Sequence, residues 1–154
     1  MTVNVSISHP YPGNVLSNLA PNAFIFEGYE CASMEGLLQS FKFHNFDTAK
    51  KVMKLHGLDA KYAGRAGDGW KANQTLYWKG YSIDRHSQAY QGLLDSAYNA
   101  LAQNGEFRKA LIDSGQHTIT HRVGHDDPNY TILTRGEFLE RLYALRNLAP
   151  LWKD

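Results

Sequence analysis

The chain is predicted to fold as a single compact α+β domain over residues 1–154, mainly helical with short hairpins. Three observations predict this. Apolar residues recur at helical spacing in several segments, and two short alternating runs fold back at the glycine-containing pairs Glu27-Gly28 and Lys79-Gly80. No strand–helix–strand alternation appears, so a parallel doubly wound sheet is not expected. With 154 residues the chain can bury one proper core but not two. A hydrophobic content of 43% with 20% charged residues describes an ordinary globule, not a disordered or membrane-embedded chain.

Val3, Val5 and Ile7 alternate with polar residues and predict a first strand, ended by His9-Pro-Tyr-Pro-Gly13. Ser17 and Asn18 fall on the following loop, as turn formers or as hydrogen-bonding groups for a ligand. Phe24 and Phe26 alternate, Glu27-Gly28 turns the chain, and residues 29–31 return. Ser33 is placed to cap a helix whose core stripe is Met34, Leu37, Leu38 and Phe41. Glu35, Gln39 and Lys42 share a second face of that helix, beside the apolar stripe. They form either a solvated stripe or the polar wall of a site, and spacing allows both.

Asp47 is expected to cap a helix over residues 48–56 that Gly57 ends, followed by a short helix near residues 59–63. Gly64-Arg-Ala-Gly-Asp-Gly69 has neither Gly-Lys-Ser/Thr nor the dinucleotide spacing, so it reads as a connector. Arg65 within it has the fork geometry that suits a phosphate. Residues 75–83 predict a hairpin, and Trp70, Tyr77, Trp78 and Tyr81 make the densest aromatic cluster. Such a cluster is either cross-strand packing or a stacking face. Ser87 starts the longest predicted helix, Asn104 caps the next, and Ser114-Gly115 ends it. A short strand over residues 118–122 leads into the polar loop His125-Asp-Asp-Pro128. Thr134-x-x-Glu137 is a capping box, which makes Glu137 structural in the first place.

Ser17-Asn18-Leu19, Phe24, Gly28-Tyr29 and Glu35-x-x-x-Gln39-x-x-Lys42-Phe43 follow one another in a specific order. Ala60-Lys61, Gly64-Arg65, Trp70, the segment 107–111, Ser114-Gly115 and Asp126 continue the series. In this order the chain, from about Leu16 to Leu148, resembles the NADAR family, also called YbiA-like. The resemblance implies a domain that binds NAD- or ADP-ribose-like ligands, and some such proteins hydrolyse the N-glycosidic bonds of ribosylated bases. It departs from the family at His121, where many members carry glutamate. It departs again at Asp127-Pro-Asn-Tyr130, where a Trp-Gly follows the aspartate in others.

Cleaving a ribosyl N-glycosidic bond develops positive charge on the sugar carbon and negative charge on the departing base. On the resemblance, Glu35 is the expected sugar-side carboxylate, Asp126 the second carboxylate, and Lys42 the cation that anchors a hydroxyl or phosphate. Trp70 or Trp78 would stack on the base, while Ser17, Asn18, Gln39 and Arg65 would hold phosphates and hydroxyls. The resemblance thus implies an N-glycosidase acting on an ADP-ribosylated base or a ribosyl-phosphate intermediate; without turnover, the same pocket would make a non-catalytic reader of ADP-ribose or an NAD derivative. For Asp126, an Asx turn ahead of Pro128 is the alternative.

His117, His121 and His125 recur every four residues, but Thr118-Ile-Thr120 and Pro128 argue for strand and loop, not a helix presenting metal ligands. Neither a metal nor a resident cofactor is expected. Cys31 is alone, so no internal disulfide can form. The net charge of +1 argues against a protein that wraps duplex nucleic acid. The expected partner is a small molecule or an ADP-ribosylated nucleobase, with nucleic acid carrying ADP-ribose as a possible bearer, and no membrane. Residues 1–12 lack the basic and apolar regions of a signal peptide, and a cytoplasmic location is expected.

Overall fold

The computed structural model describes residues 1–152. Strand β1 (Thr2–Asn4) pairs in parallel with β6 (Thr118–Thr120), which joins the start of the chain to its last third. Between them lie two antiparallel hairpins, β2 (Phe24–Phe26) with β3 (Tyr29–Cys31), and β4 (Thr75–Trp78) with β5 (Tyr81–Asp84). Both hairpins turn on two residues with positive φ: Glu27 at 49° and Gly28 at 87°, then Lys79 at 52° and Gly80 at 82°. This turn form matches the strands' own right-handed twist, and glycine at its second position avoids the steric cost. The predicted first strand is shorter than its alternation suggested. Val5 is buried and its N–H still bonds the Thr120 carbonyl, but Ile7 is exposed.

Eight helices fill the space between the strands: α1 (Gly13–Leu16), α2 (Met34–Ser40), α3 (Phe46–Met53), α4 (Gly57–Gly64), α5 (Trp70–Asn73), α6 (Gln88–Leu101), α7 (Gly105–Asp113) and α8 (Arg135–Leu148). The α+β class is therefore as expected. Ser33, Ser87, Asn104 and Thr134 each accept the predicted capping hydrogen bond, and Thr134 with Glu137 completes its capping box. Two assignments are corrected. Asn45, not Asp47, caps α3 by accepting from the Thr48 N–H, so that helix begins two residues earlier. Gly57, at a φ of 60°, does not end α3 but opens α4. Helix α2 also stops at Ser40, so Lys42 lies in the turn beyond it, its N–H bonded to the Gln39 carbonyl.

The core runs from Val5 and Leu16 through Met34, Leu37, Leu38 and Phe41 of the central segment to Tyr90, Leu94, Phe107 and Phe138. Trp78 belongs to this core. Its ring meets Tyr29, Phe41 and Phe46 edge-on and Phe26 at a tilt, and its indole N–H donates to Glu27 at 2.7 Å. Cross-strand packing thus takes Trp78, while Tyr81 is exposed, so the sequence-adjacent aromatics do not act together. Among the described residues no helix is long and apolar enough to cross a membrane.

One buried ion pair ties the second hairpin to α8. Arg85, 1% exposed, donates to both Glu137 carboxylate oxygens at 3.0 and 2.7 Å, and its Nε donates to the Thr131 carbonyl. Gln91 also donates to Glu137. Burial pushes the Glu137 carboxyl up, but Arg85, the Thr134 N–H and Gln91 outweigh it and hold it below its ordinary 4.5. A depressed carboxylate contributes stability above its unfolded value, and this is lost as pH falls through the folded one. Arg85→Ala should therefore cost about 3–5 kcal/mol at neutral pH, because it strands a buried charge. Urea unfolding should show this loss. The stability gap between wild type and Glu137→Gln should close in acid below pH 4.5.

Candidate functional site

Helix α2 has almost no free side, since six of its seven residues are buried. Its start is held twice by Ser33, whose hydroxyl accepts from the Gly36 N–H and donates to the Leu55 carbonyl. Gly36 has no room for a side chain, because a Cβ there would stand 2.5 Å from the Leu55 carbonyl oxygen. The Asn18 carbonyl takes the Glu35 N–H at 2.9 Å, and the Asn18 side-chain oxygen accepts from the Tyr98 hydroxyl. Ser17 accepts from the Leu19 N–H. The Ser17-Asn18 loop is thus locked onto the first turn of α2, and Glu35 is aimed by that lock.

Glu35 opens into a cleft of about 240 Å³. Ser17, Asn18, Glu35 and Gln39 form one wall, and His121 and His125 stand in another. A second hollow of about 220 Å³ adjoins it and shares Gln39, Lys61, His125, Thr131 and Ile132. Lys42, Arg65 and Trp70 line that second lobe. Together the lobes fall in the range of small-molecule sites, roughly 300–1,000 Å³. The structure therefore brings seven of the nine expected residues to one two-lobed cleft: Ser17, Asn18, Glu35 and Gln39 in the first lobe, Gln39, Lys42, Arg65 and Trp70 in the second.

The other two residues are not brought there. Trp78 is in the aromatic core described above, because the hairpin register turns its ring inward. Asp126 does not line either lobe. Its side chain is 75% exposed, and its contact with Arg135 is a loose 3.7 Å. The reason is the loop's own anchoring. Arg135 donates to the carbonyls of Arg122 and Gly124, and its N–H bonds the His125 carbonyl at 2.7 Å. That anchoring leaves His125 and Asp126 both exposed, His125 at the cleft and Asp126 away from it. The histidine trio is also split, since His121 and His125 line the cleft and His117 does not. Among the described residues no three His, Cys, Asp or Glu side chains gather as a metal site.

Two of the ionisable groups of the first lobe, Glu35 and His121, are shifted in opposite senses. Burial raises the Glu35 carboxyl above its ordinary 4.5, against the Gln39 amide (2.9 Å from the carboxylate) and the charges of Lys42 and Lys61. Burial lowers His121 below its ordinary 6.5, against its bond to the Val5 carbonyl and with help from Arg135 and His125. His121 Nδ1 lies 2.9 Å from that carbonyl oxygen. Only an Nδ1–H can bond there, so the neutral ring keeps Nε2 as an acceptor. Phe138 packs edge-on against the imidazole at 4.9 Å and holds its plane. Both shifts have the same physical origin, since burial disfavours the charged form of each group and so favours a neutral carboxyl and a neutral imidazole.

A larger hollow of about 630 Å³ runs along Phe24, Ile25 and Cys31 to Lys54 and Asn104. Glu30 and Gln103 line it too, and burial pushes the Cys31 thiol up to about 12, which makes it a poor nucleophile. Most of the residues that the sequence singled out gather instead in the smaller cleft.

Sequence reasoning missed Lys61, Asp68, Lys71 and Tyr130 as cleft residues, and weighed His121 and His125 only as metal ligands. Lys61 carried a signal in the Ala60-Lys61 match, and His121 carried one as a departure from glutamate. The others came with none. The glycine-rich connector also has a reason. A Cβ on Gly64 would stand 1.8 Å from Gln39 Oε1, and one on Gly67 would stand 2.6 Å from Lys42 Cβ. These glycines let α4 and its following turn close on the site.

Two outcomes follow from this geometry. Gly64→Ala should displace the Gln39 side chain, release its bond to Glu35 and cost about 1–3 kcal/mol in urea unfolding, the usual scale of overpacking. A carboxyl with a raised folded value loses stability as pH rises through that value. Glu35→Gln should accordingly melt higher than wild type at neutral pH. The advantage should vanish below pH 4.5, where the carboxyl is protonated in both states.

A family described as bacteriophage protein GP30.3 matches residues 10–147, which takes in every cleft residue named above. A relative from Enterobacteria phage T4, the uncharacterized 17.1 kDa protein in the Gp30-rIII intergenic region, is 36% identical over 142 residues. The match covers 89% of this chain and 91% of the relative. No solved structure matches. On the extent of the family match and of the shared identity, the chain belongs to the bacteriophage GP30.3 family.

Proposed function

We propose that this protein is an N-glycosidase, a hydrolase that cleaves the bond between ribose and base in an ADP-ribosylated nucleobase. The observation that carries the reading is the first lobe of the cleft, where a desolvated carboxyl and a neutral imidazole with a free Nε2 line one wall each. The ordered resemblance to NADAR proteins supports the substrate class. On this reading nucleic acid is a bearer of the modified base, and the reaction belongs to the cytoplasm.

The reaction divides between these groups. As the bond between C1′ and the base nitrogen breaks, its electron pair leaves with the base, which takes a proton from solvent. The ionised Glu35 carboxylate faces the positive charge that grows on the sugar carbon. Because it is desolvated, its field there is stronger than in water, and the cost of its burial is relieved as the opposite charge develops. Water then adds to C1′ and passes a proton to His121 Nε2. Asn18 offers its side-chain N–H groups to sugar hydroxyls, and Gln39 holds Glu35 in place.

Single-turnover cleavage of an ADP-ribosylated nucleobase, read by release of free base, tests this reading alongside calorimetry with ADP-ribose. Glu35→Gln should lose on the order of a hundredfold or more in turnover and keep most of its affinity, since the lost interaction belongs to the transition state. Turnover in the wild type should fall in acid along a limb that starts above pH 4.5, as Glu35 gains its proton. Unchanged turnover in Glu35→Gln removes that carboxylate from the reaction. A wild type that binds ADP-ribose and never releases base is a reader, not an enzyme.

A further inference from the structure

The second lobe has a surplus of positive charge. Lys42, Lys61, Arg65 and Lys71 line it, and Asp68 is the single carboxylate among its described lining residues. None of the ion pairs among the described residues uses Lys61, Arg65 or Lys71. Arg65 lies 4.6 Å over the Tyr62 ring, which leaves the edge of its guanidinium free to donate. Trp70 stands in the same wall, 3% exposed, with an indole N–H that is buried and has no partner. An unpartnered buried donor beside unpaired cations is the environment of an anion, not of an apolar ligand.

Lys42 is the exception among the cations. Its Nζ is 2.7 Å from Asp68 Oδ1 and 3.4 Å from the Gly64 carbonyl oxygen. The lysine side chain is 10% exposed and the aspartate side chain 41%. Lys42 is therefore held by the Gly64 carbonyl at the end of α4 and by Asp68, the more exposed partner of the pair.

We propose that the second lobe is a diphosphate site in which the Asp68 carboxylate occupies the ligand's place on Lys42 until an incoming phosphate displaces it. Asp68 thereby keeps the buried ammonium paired in the empty cleft and sets the threshold that an anion must exceed. A group with one negative charge gains little by the exchange. A diphosphate also engages Lys61 and Arg65, so it replaces one carboxylate contact with several charge-assisted bonds. The identity of the compound that carries the diphosphate rests on the function proposed above, but the anion site itself does not.

Inorganic pyrophosphate is the probe, titrated calorimetrically into the full chain at two salt concentrations. Wild type should bind it, more weakly as salt rises. Asp68→Asn should bind on the order of tenfold tighter, since the competing charge is gone. Lys61→Gln should bind on the order of tenfold weaker. In ¹⁵N spectra the Trp70 indole signal should move on pyrophosphate addition while that of Trp78, bonded to Glu27, stays. Thermal melting checks that each variant is folded, and Asp68→Glu, which keeps the charge, should behave like wild type. Equal or weaker binding by folded Asp68→Asn, or no binding by either protein, overturns the proposal. Pyrophosphate binding with the Asp68 effect, but with no base release from any ADP-ribosylated substrate, would instead defeat the glycosidase reading and leave the anion site standing.

Discussion

Glu35 sits on a helix that has no solvated side, and its carboxyl must be accommodated where water cannot reach it freely. A charge in that position needs donors close by or it gives up its ionisation. The surroundings of α2 can be read as the response. Gln39 donates to the carboxylate from one turn further along the helix, and Lys42 and Lys61 add positive charge nearby. The Asn18 carbonyl takes the Glu35 N–H, and the Tyr98 hydroxyl in turn fixes Asn18. Burial still prevails, and Glu35 keeps a raised proton affinity. A carboxyl maintained at such a cost to the fold is a candidate functional group.

Close approach is what makes that enclosure possible. Three glycines stand where any side chain would collide. Gly36 meets the backbone after α3, Gly64 meets the end of Gln39, and Gly67 meets the stem of Lys42. The last two bring the α4 turn down onto the polar face of the central segment, so the glycine-rich connector acts through packing, not by cradling a phosphate with its backbone. The same closure brings Arg65 and Asp68 to the rim and gives the cleft its second lobe.

The two lobes divide by electrostatic character. Near Glu35 the lining is mostly uncharged, with Ser17, Asn18 and Gln39 beside it, and His121 is favoured neutral with its Nδ1 proton committed to the Val5 carbonyl. Toward Lys42 the cations accumulate and only Asp68 answers them. A ligand with an uncharged sugar at one end and a charged diphosphate at the other matches this polarity in both halves. The buried Arg85–Glu137 pair bears on this arrangement too, since Arg85 donates to the carbonyl of Thr131, which lines both lobes.

Local interactions were legible in the sequence because they close within about four residues. The caps at Ser33, Ser87, Asn104 and Thr134 and the turns at Glu27-Gly28 and Lys79-Gly80 each involve one short stretch, and each formed as read. The start of α3 shows the limit of this reach, since Asn45 and Asp47 are both good caps and the choice fell on Asn45. The Glu35–Gln39 face was legible as a spacing, but its burial was not. Burial depends on α4, which reaches that face only because Gly64 permits it. Tertiary structure alone decided that Trp78 turns into the core and Asp126 out to solvent, because hairpin register and the Arg135 anchor determine which way each side chain points. It alone made His121 part of the site. The parallel pairing of β1 with β6 places the imidazole against the carbonyl of Val5, and no local pattern records a contact between residues so far apart in the chain.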